Sequence, residues 1–193
     1  RFALVVRGAV RWYERGRMRL LFVSHSFPPR WNPMSNVGGM QRVAMDLHEE
    51  LGRRDDVELH SMLLRSSWRL IVPRAIPFIT STLARVPIAV ARHGIDVVLF
   101  SSMTTALPVM RMGGRIRNQG AKVCSIVHGL DVTEPNALYQ AGVRRTLAQL
   151  DAVLPVSRAT GDRCVERGME RSRVRVVPNG VDTGLFCPDG PRA

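Results

Sequence analysis

Met18–Arg53, MRLLFVSHSFPPRWNPMSNVGGMQRVAMDLHEELGR, decides how the rest of the chain is read. Leu20 to Val23 is an apolar run too short for a helix and suited to a buried parallel strand. Ser24 to Val37 is polar and carries Pro28, Pro29 and Pro33, which predicts a loop. From Gly38 onward Met40, Val43, Ala44, Leu47 and Leu51 recur at helical spacing, with Arg42, Asp46, Glu49 and Glu50 opposite them. Strand, loop, Gly-Gly and helix in that order put free backbone N–H groups and a helix N-terminus beside an anion. Glycines at Gly38 and Gly39 remove the Cβ that keeps a phosphate away from the main chain. The same pair also serves as a plain turn into the helix, and the dinucleotide spacing GxGxxG is absent.

A chain of 193 residues buries a real core and fits one domain. Its net charge is +12, and its basic side chains are 27 Arg and the single Lys122, the ratio expected of a GC-rich coding sequence. The arginines are spread without a block, unlike a nucleic-acid-binding arm, so no specific nucleic acid partner is expected. The charge still favours phosphates and anionic membrane surfaces. Cys124, Cys164 and Cys187 are widely spaced and form no CxxC, which predicts reduced thiols, no zinc site and a cytoplasmic location. Arg1 to Arg17 holds five arginines and no cleavage pattern; residues 1–17 read as a basic appendage, with Met18 as the expected native start. The alternative for this segment is a basic, Trp-containing stretch resting on a membrane.

Further along, Val57–Leu64 reads as a second strand. Ser66–Arg92 contains Pro73, Pro77 and Pro87, so at least one break is expected there. Within it, Ala75–Ala91 is too interrupted to cross a membrane; it reads as a helix on the sheet or as a greasy, Arg-edged surface for lipid. Ile95–Phe100 is a buried strand, and Ser101–Asn118 a helix broken near Pro108 and Gly113-Gly114. Ala121–Val127 is the next strand, followed by a polar loop over Leu130–Asn136 and a helix over Ala137–Leu150. Ala152–Val156 reads as a strand interrupted by Pro155, Ser157 as the cap of a helix ending near Gly168, and Val174–Val177 as a last strand. Alternation of this kind predicts an α/β fold with a doubly wound parallel sheet.

Ligands of such sheets sit beyond the carboxyl ends of the strands. Ser24 with the glycine loop, His128 with Asp131, and Ser157 all fall there. Taken alone, His128 reads as a strand-end histidine bonded to backbone before it reads as a catalytic group, and Asp131 as a turn cap. No nucleophile–histidine–acid triad can be assembled from Ser24, His25 and Ser26.

The succession LLFVSHSFPP, GGMQRVAMDLHEEL, SIVHGLD, DAVLPVS and VRVVPNGVDTGLFCP resembles the N-terminal domain of the family-4 glycosyltransferases of GT-B architecture. That resemblance covers Met18 to Pro188 and implies a Rossmann-like acceptor-side domain over residues 18–178. It implies retaining transfer from a nucleotide-sugar donor to a glycan or lipid-linked acceptor, with no cofactor and no obligatory metal. By position, Gly38 and Gly39 match the loop facing the donor diphosphate, and His128 the histidine near the transferred sugar. Pro178 to Asp182, with Asn179 and Gly180, match the start of the interdomain hinge, so residues 179–193 are expected to lead toward a donor-binding half.

Two departures stand out: eight residues separate Pro28-Pro29 from Gly38-Gly39, and Gln41 stands where the family often has Glu. Because the resemblance places the nucleotide in a donor-binding half that residues 179–193 only lead toward, the 193 residues alone are expected to be inactive, and a separate donor-binding half is an expected partner. A nucleotide-sugar epimerase half and a non-catalytic module bound to a membrane or partner chain are the alternatives. A peripheral position on the inner face of the membrane is the expectation from charge and the Ala75–Ala91 run.

Overall fold

Parallel strands cannot be joined by tight turns, so each apolar run must reach the next through a crossover. The computed structural model, in which residues 16–33 and 38–180 are described apart from the Trp68 side chain, has that arrangement. Strands β1 (Met18–Phe27), β2 (Val57–Arg65), β3 (Val97–Phe100), β4 (Lys122–Val127) and β5 (Ala152–Pro155) form one parallel sheet in the order β2-β1-β3-β4-β5. The crossovers hold α1 (Gly39–Arg53), α2 (Trp68–His93), α3 (Met103–Ala106), α4 (Val109–Asn118), α5 (Gly129–Thr133) and α6 (Ala137–Leu147), and α7 (Arg158–Glu166) follows β5. The fold is α/β and Rossmann-like, as the alternation predicts.

Right-handed crossovers decide which helix lies on which face. The step from β1 to β2 runs one way along the sheet, and every later step runs the other way. Accordingly Leu20, Phe22 and Leu99 pack with Ala44, Leu47 and Leu51 of α1. Leu21, Val23, Val98, Phe100 and Val123 pack on the opposite side with side chains from α2, α4 and α6, such as Val86, Ile116 and Leu147. Strand alternation thus gives both faces of β1 to apolar cores, which is why its sequence reads as a continuous apolar run.

Several local expectations are corrected. Strand β1 does not stop at Val23: pairing with β2 continues through Ser24↔Leu63 and, after a register shift, Phe27↔Arg65. Ser24 is fully buried, and its Oγ takes a hydrogen bond from Ser101 Oγ at 2.8 Å, so its polarity is satisfied inside the strand. Helix α2 runs unbroken through Pro73, Pro77 and Pro87. Pro73 and Pro77 sit on exposed turns, where water can reach the carbonyls of Arg69 and Pro73 that lose a donor. The helix ends at Gly94 (φ 57°), whose N–H bonds Val90 O.

The break at Pro108 is real, separating α3 from α4, but Gly113-Gly114 lies inside α4. A Cβ on Gly113 would stand 3.1 Å from Gln149 Cβ, so that glycine serves close packing rather than a break. The start of the polar stretch Leu130–Asn136 is the short helix α5, and α6 stops at Leu147. Val174–Val177 forms a single bridge, Val153↔Val174, with Arg175 N on Val153 O and Val177 N on Pro155 O. Residues 1–15 and 34–37, Asp182 and Cys187 lie outside the described residues; Cys124 and Cys164 are buried free thiols, each with its pKa pushed up to about 12 by burial.

Candidate functional site at the carboxyl edge of the sheet

The chain leaves β1 toward β2 on one side, while β3 lies on the other, so a crevice opens beyond the carboxyl ends of β1 and β3. The first wall is the N-terminus of α1. Its N-cap is Gly38 in extended conformation, with no side-chain cap and no acid in the first turn. A 15-residue helix started this way leaves its first N–H groups and the positive end of its dipole to an outside partner.

The two glycines do different work. A Cβ on Gly38 would lie 2.7 Å from Gln41 Oε1, because the Gln41 side chain folds back over the helix start; Gln41 itself is buried. A Cβ on Gly39 would meet nothing within 4 Å. The tip of Gln41 thus lies over Gly38, whereas nothing among the described residues lies over Gly39.

The floor is a run of hydroxyls and one histidine. Beyond Ser24–Ser101, the carbonyl of Ser101 accepts a hydrogen bond from His128 Nε2 at 3.1 Å. A carbonyl only accepts, so the neutral ring carries its proton on Nε2. The His128 backbone N–H donates to Asp131 Oδ2 at 2.9 Å, making His128 the cap of α5. Asp131 Oδ2 also accepts from Met103 N at 3.3 Å, and its Oδ1 from the Tyr139 hydroxyl at 3.3 Å. Burial pushes the Asp131 carboxyl above its ordinary value, against the pull of these donors. Asp131 thereby ties the starts of α3, α5 and α6 together beneath the crevice. Ser157 caps α7 through Thr160 N at 3.1 Å, as expected, and Asn179 and Gly180 are exposed past the bridge beside β5.

Sequence reasoning passed over Ser101, Ser102 and Thr105, and set His25 aside when no triad could be assembled around it. His25 Nδ1 and Thr105 Oγ1 are 2.6 Å apart, and Ser102 Oγ caps α3 through Thr105 N. The available signal was SSMTT directly after a buried strand: small hydroxyls where a strand end meets a helix start. Burial holds the His25 imidazole below its ordinary 6.5, and His48, packed against Phe22 and Phe27, is lowered by burial and by Arg65. A folded-state value below the unfolded one means that the unfolded chain takes up protons first as the pH drops. The stability governed by these two histidines is therefore full above about pH 6.5 and falls as the medium is acidified through and below that value. Thermal melts at pH 7.5 and 5.5 should show the loss, and His25→Gln should flatten it; an unchanged slope would contradict this account.

Some exposed large hydrophobics follow strand ends, while Val72, Ile76, Ile88 and Leu138 are exposed on helices α2 and α6. Among the described residues Trp31, Leu70 and Leu130 follow the ends of β1, β2 and β4, and Val176 and Val177 lie beside the end of β5. A surface cavity of about 400 Å³ lined by Met110, Arg111, Arg145, Ala148 and Gln149 lies instead in the outer helix layer. No cluster of three metal-type ligands occurs among the described residues.

The model of Glycosyltransferase Family 4 matches residues 37–185. The chain belongs to that family. It is 26% identical over 185 residues to the GDP-mannose-dependent alpha-(1-6)-phosphatidylinositol monomannoside mannosyltransferase of Mycolicibacterium smegmatis, covering 88% of this chain and 46% of that protein. The family-4 chain therefore spans about half the length of that curated relative. Among solved structures it is similar to the galactosyltransferase WaaB of the lipopolysaccharide outer core (TM-score 0.58, 12% identity, 90% of this chain and 50% of that one). It is also similar to Anabaena HepE in complex with UDP (0.55, 15%, 89% and 47%) and to a UDP-N-acetylglucosamine 2-epimerase (0.56, 12%, 84% and 48%). These structural likenesses establish the GT-B type of Rossmann-like fold.

Proposed function

We propose that this family-4 chain is the acceptor-side half of a retaining glycosyltransferase, which moves a sugar from a nucleotide sugar to a glycan or lipid-linked acceptor. The observation that carries the reading is the uncapped start of α1, with open space over Gly39, at the reversal point of the strand order. Departure of the sugar builds negative charge on the leaving diphosphate. Backbone N–H groups fixed at a helix start stabilise that charge without reorganising. Cations from the donor-binding half supply the rest, and no cofactor or obligatory metal is required in this reading.

His128 is held rigidly by Ser101 O and Asp131 at the floor, where it meets the transferred sugar. It is not assigned general-base duty, because front-face attack lets the leaving phosphate take the acceptor proton. Asn179, Gly180 and Asp182 begin the hinge, and the apolar edge residues Trp31, Leu130 and Leu138 become covered when the second wall closes. The mannosyltransferase likeness favours a hexose donor and a lipid-linked acceptor.

The test is product stereochemistry. These residues joined to a donor-binding half are incubated with a panel of nucleotide sugars and acceptors, and the new linkage is read by NMR. Retention at the anomeric carbon is expected. Inversion would overturn the retaining mechanism, and epimerised nucleotide sugar formed without acceptor would favour an epimerase half.

A further inference from the structure

Two arginines from neighbouring helices line one cavity in the outer helix layer. Arg111 of α4 and Arg145 of α6 share with Met110, Ala148 and Gln149 a surface cavity of about 400 Å³. Like charges around one space repel, and acids usually stand between them. None does so here, because Val97 to Leu130 and Pro135 to Leu150 contain no Asp or Glu. Neither guanidinium is ion-paired among the described residues. The helix dipoles account for only one of the two. Arg145 is in the last turn of α6, where a cation is favoured, but Arg111 is the third residue of α4, at its positive end.

A bond at the cavity wall orients the third polar group. Arg117 donates from Nη2 to Gln149 Oε1 at 2.7 Å, and from Nη1 to the Gln149 carbonyl. A guanidinium only donates, so the amide oxygen faces Arg117 and the Gln149 NH2 group is the free end. That NH2 group has no partner among the described residues. Gly113 lets the two helices come this close, since a Cβ there would stand 3.1 Å from Gln149 Cβ. The polar side chains of the cavity thus offer donors only, two guanidiniums and an amide. A carboxylate has two oxygens in one plane and suits a single guanidinium fork. A phosphate monoester has three terminal oxygens and a charge of about −2, which suits donors arriving from two helices. Met110 and Ala148 add an apolar wall, so the space takes an organic body as well as the phosphate.

We propose that this cavity binds a small soluble phosphate monoester, its phosphate held by Arg111, Arg145 and Gln149 and its organic part resting on Met110 and Ala148. The site shares no residue with the carboxyl-edge crevice, so it stands apart from the transferase reading.

Titration of the full 193-residue chain with glycerol phosphate, followed by NMR at the Gln149 side-chain amide, tests the proposal without any activity readout. The amide resonances should shift saturably with glycerol phosphate and stay still with glycerol. Arg111→Ala and Arg145→Ala, both at exposed positions, should each weaken binding at least about tenfold with an unchanged far-UV circular dichroism spectrum. Arg115→Ala, exposed on the same helix but outside the cavity lining, should change Kd by no more than about twofold. Gly39→Val should leave the Gln149 shift as it was, which separates this site from a phosphate seated at the start of α1. A still Gln149 amide would overturn the proposal, and so would an equal loss from Arg115→Ala, which would mark a diffuse charge effect. Tighter binding of dihexanoyl phosphatidylglycerol at the same resonances would overturn it too, by assigning the cavity to a lipid headgroup.

Discussion

Residues 1–193 alone should turn over a nucleotide-sugar donor at least about 10⁵-fold more slowly than the same residues joined to a donor-binding half. Fixing donor and acceptor in one geometry accounts for roughly 7–11 kcal/mol of a barrier, and a single wall fixes neither against the other. Electrostatics act in the same direction. The N–H groups at the start of α1 are exposed, so a diphosphate resting there is solvated by water, where a charge contact is worth a small fraction of its value in a closed site. Initial rates with acceptor in excess, measured for the two polypeptides over the same donors, check the ratio. Comparable rates would mean that these residues hold a complete site and that the second wall is not needed.

Most of the sheet was legible in the sequence because buried parallel strands need unbroken apolar runs. IDVVLF and KVCSIV carry that signal with no tertiary information. Where the reading failed, a long-range contact had overridden a local rule. Ser24 looked like the first loop residue until Ser101 supplied a partner for its hydroxyl inside the sheet. Prolines 73, 77 and 87 looked like at least one helix break, yet α2 runs unbroken through all three; exposure leaves the carbonyls of Arg69 and Pro73 to water. The start of the stretch after His128 looked like loop, yet Asp131 joins three helix starts through side-chain bonds that no spacing rule displays.

The candidate site was legible in outline and not in its parts. Strand-end positions followed from the α/β alternation, so Gly38, Gly39, His128 and Ser157 could be gathered at one edge before any coordinates. The roles of individual residues depended on tertiary bonds: Ser101 O fixes the His128 tautomer, and Gln41 occupies the space beside Gly38. The second of these separates two neighbouring glycines that the sequence presents as a pair.

Gly39 is therefore the position on which the account of the donor site rests. Among the described residues nothing beyond its chain neighbours and its own helix backbone lies within 4 Å of a Cβ placed there, and its φ is not positive, so a larger side chain should be accommodated with the fold intact. A diphosphate seated on the start of α1 would meet that side chain and lose its closest backbone donors. Losing one such preorganised donor typically lowers kcat about 10²- to 10³-fold. The deciding measurement is kcat of Gly39→Val in the polypeptide joined to a donor-binding half, with the thermal midpoint of the same sample as control. A fall in kcat of about 10²-fold or more at an unchanged midpoint is the expected result. Wild-type turnover by Gly39→Val would show that the diphosphate does not sit on α1, and would reduce the glycine pair to a turn into its helix.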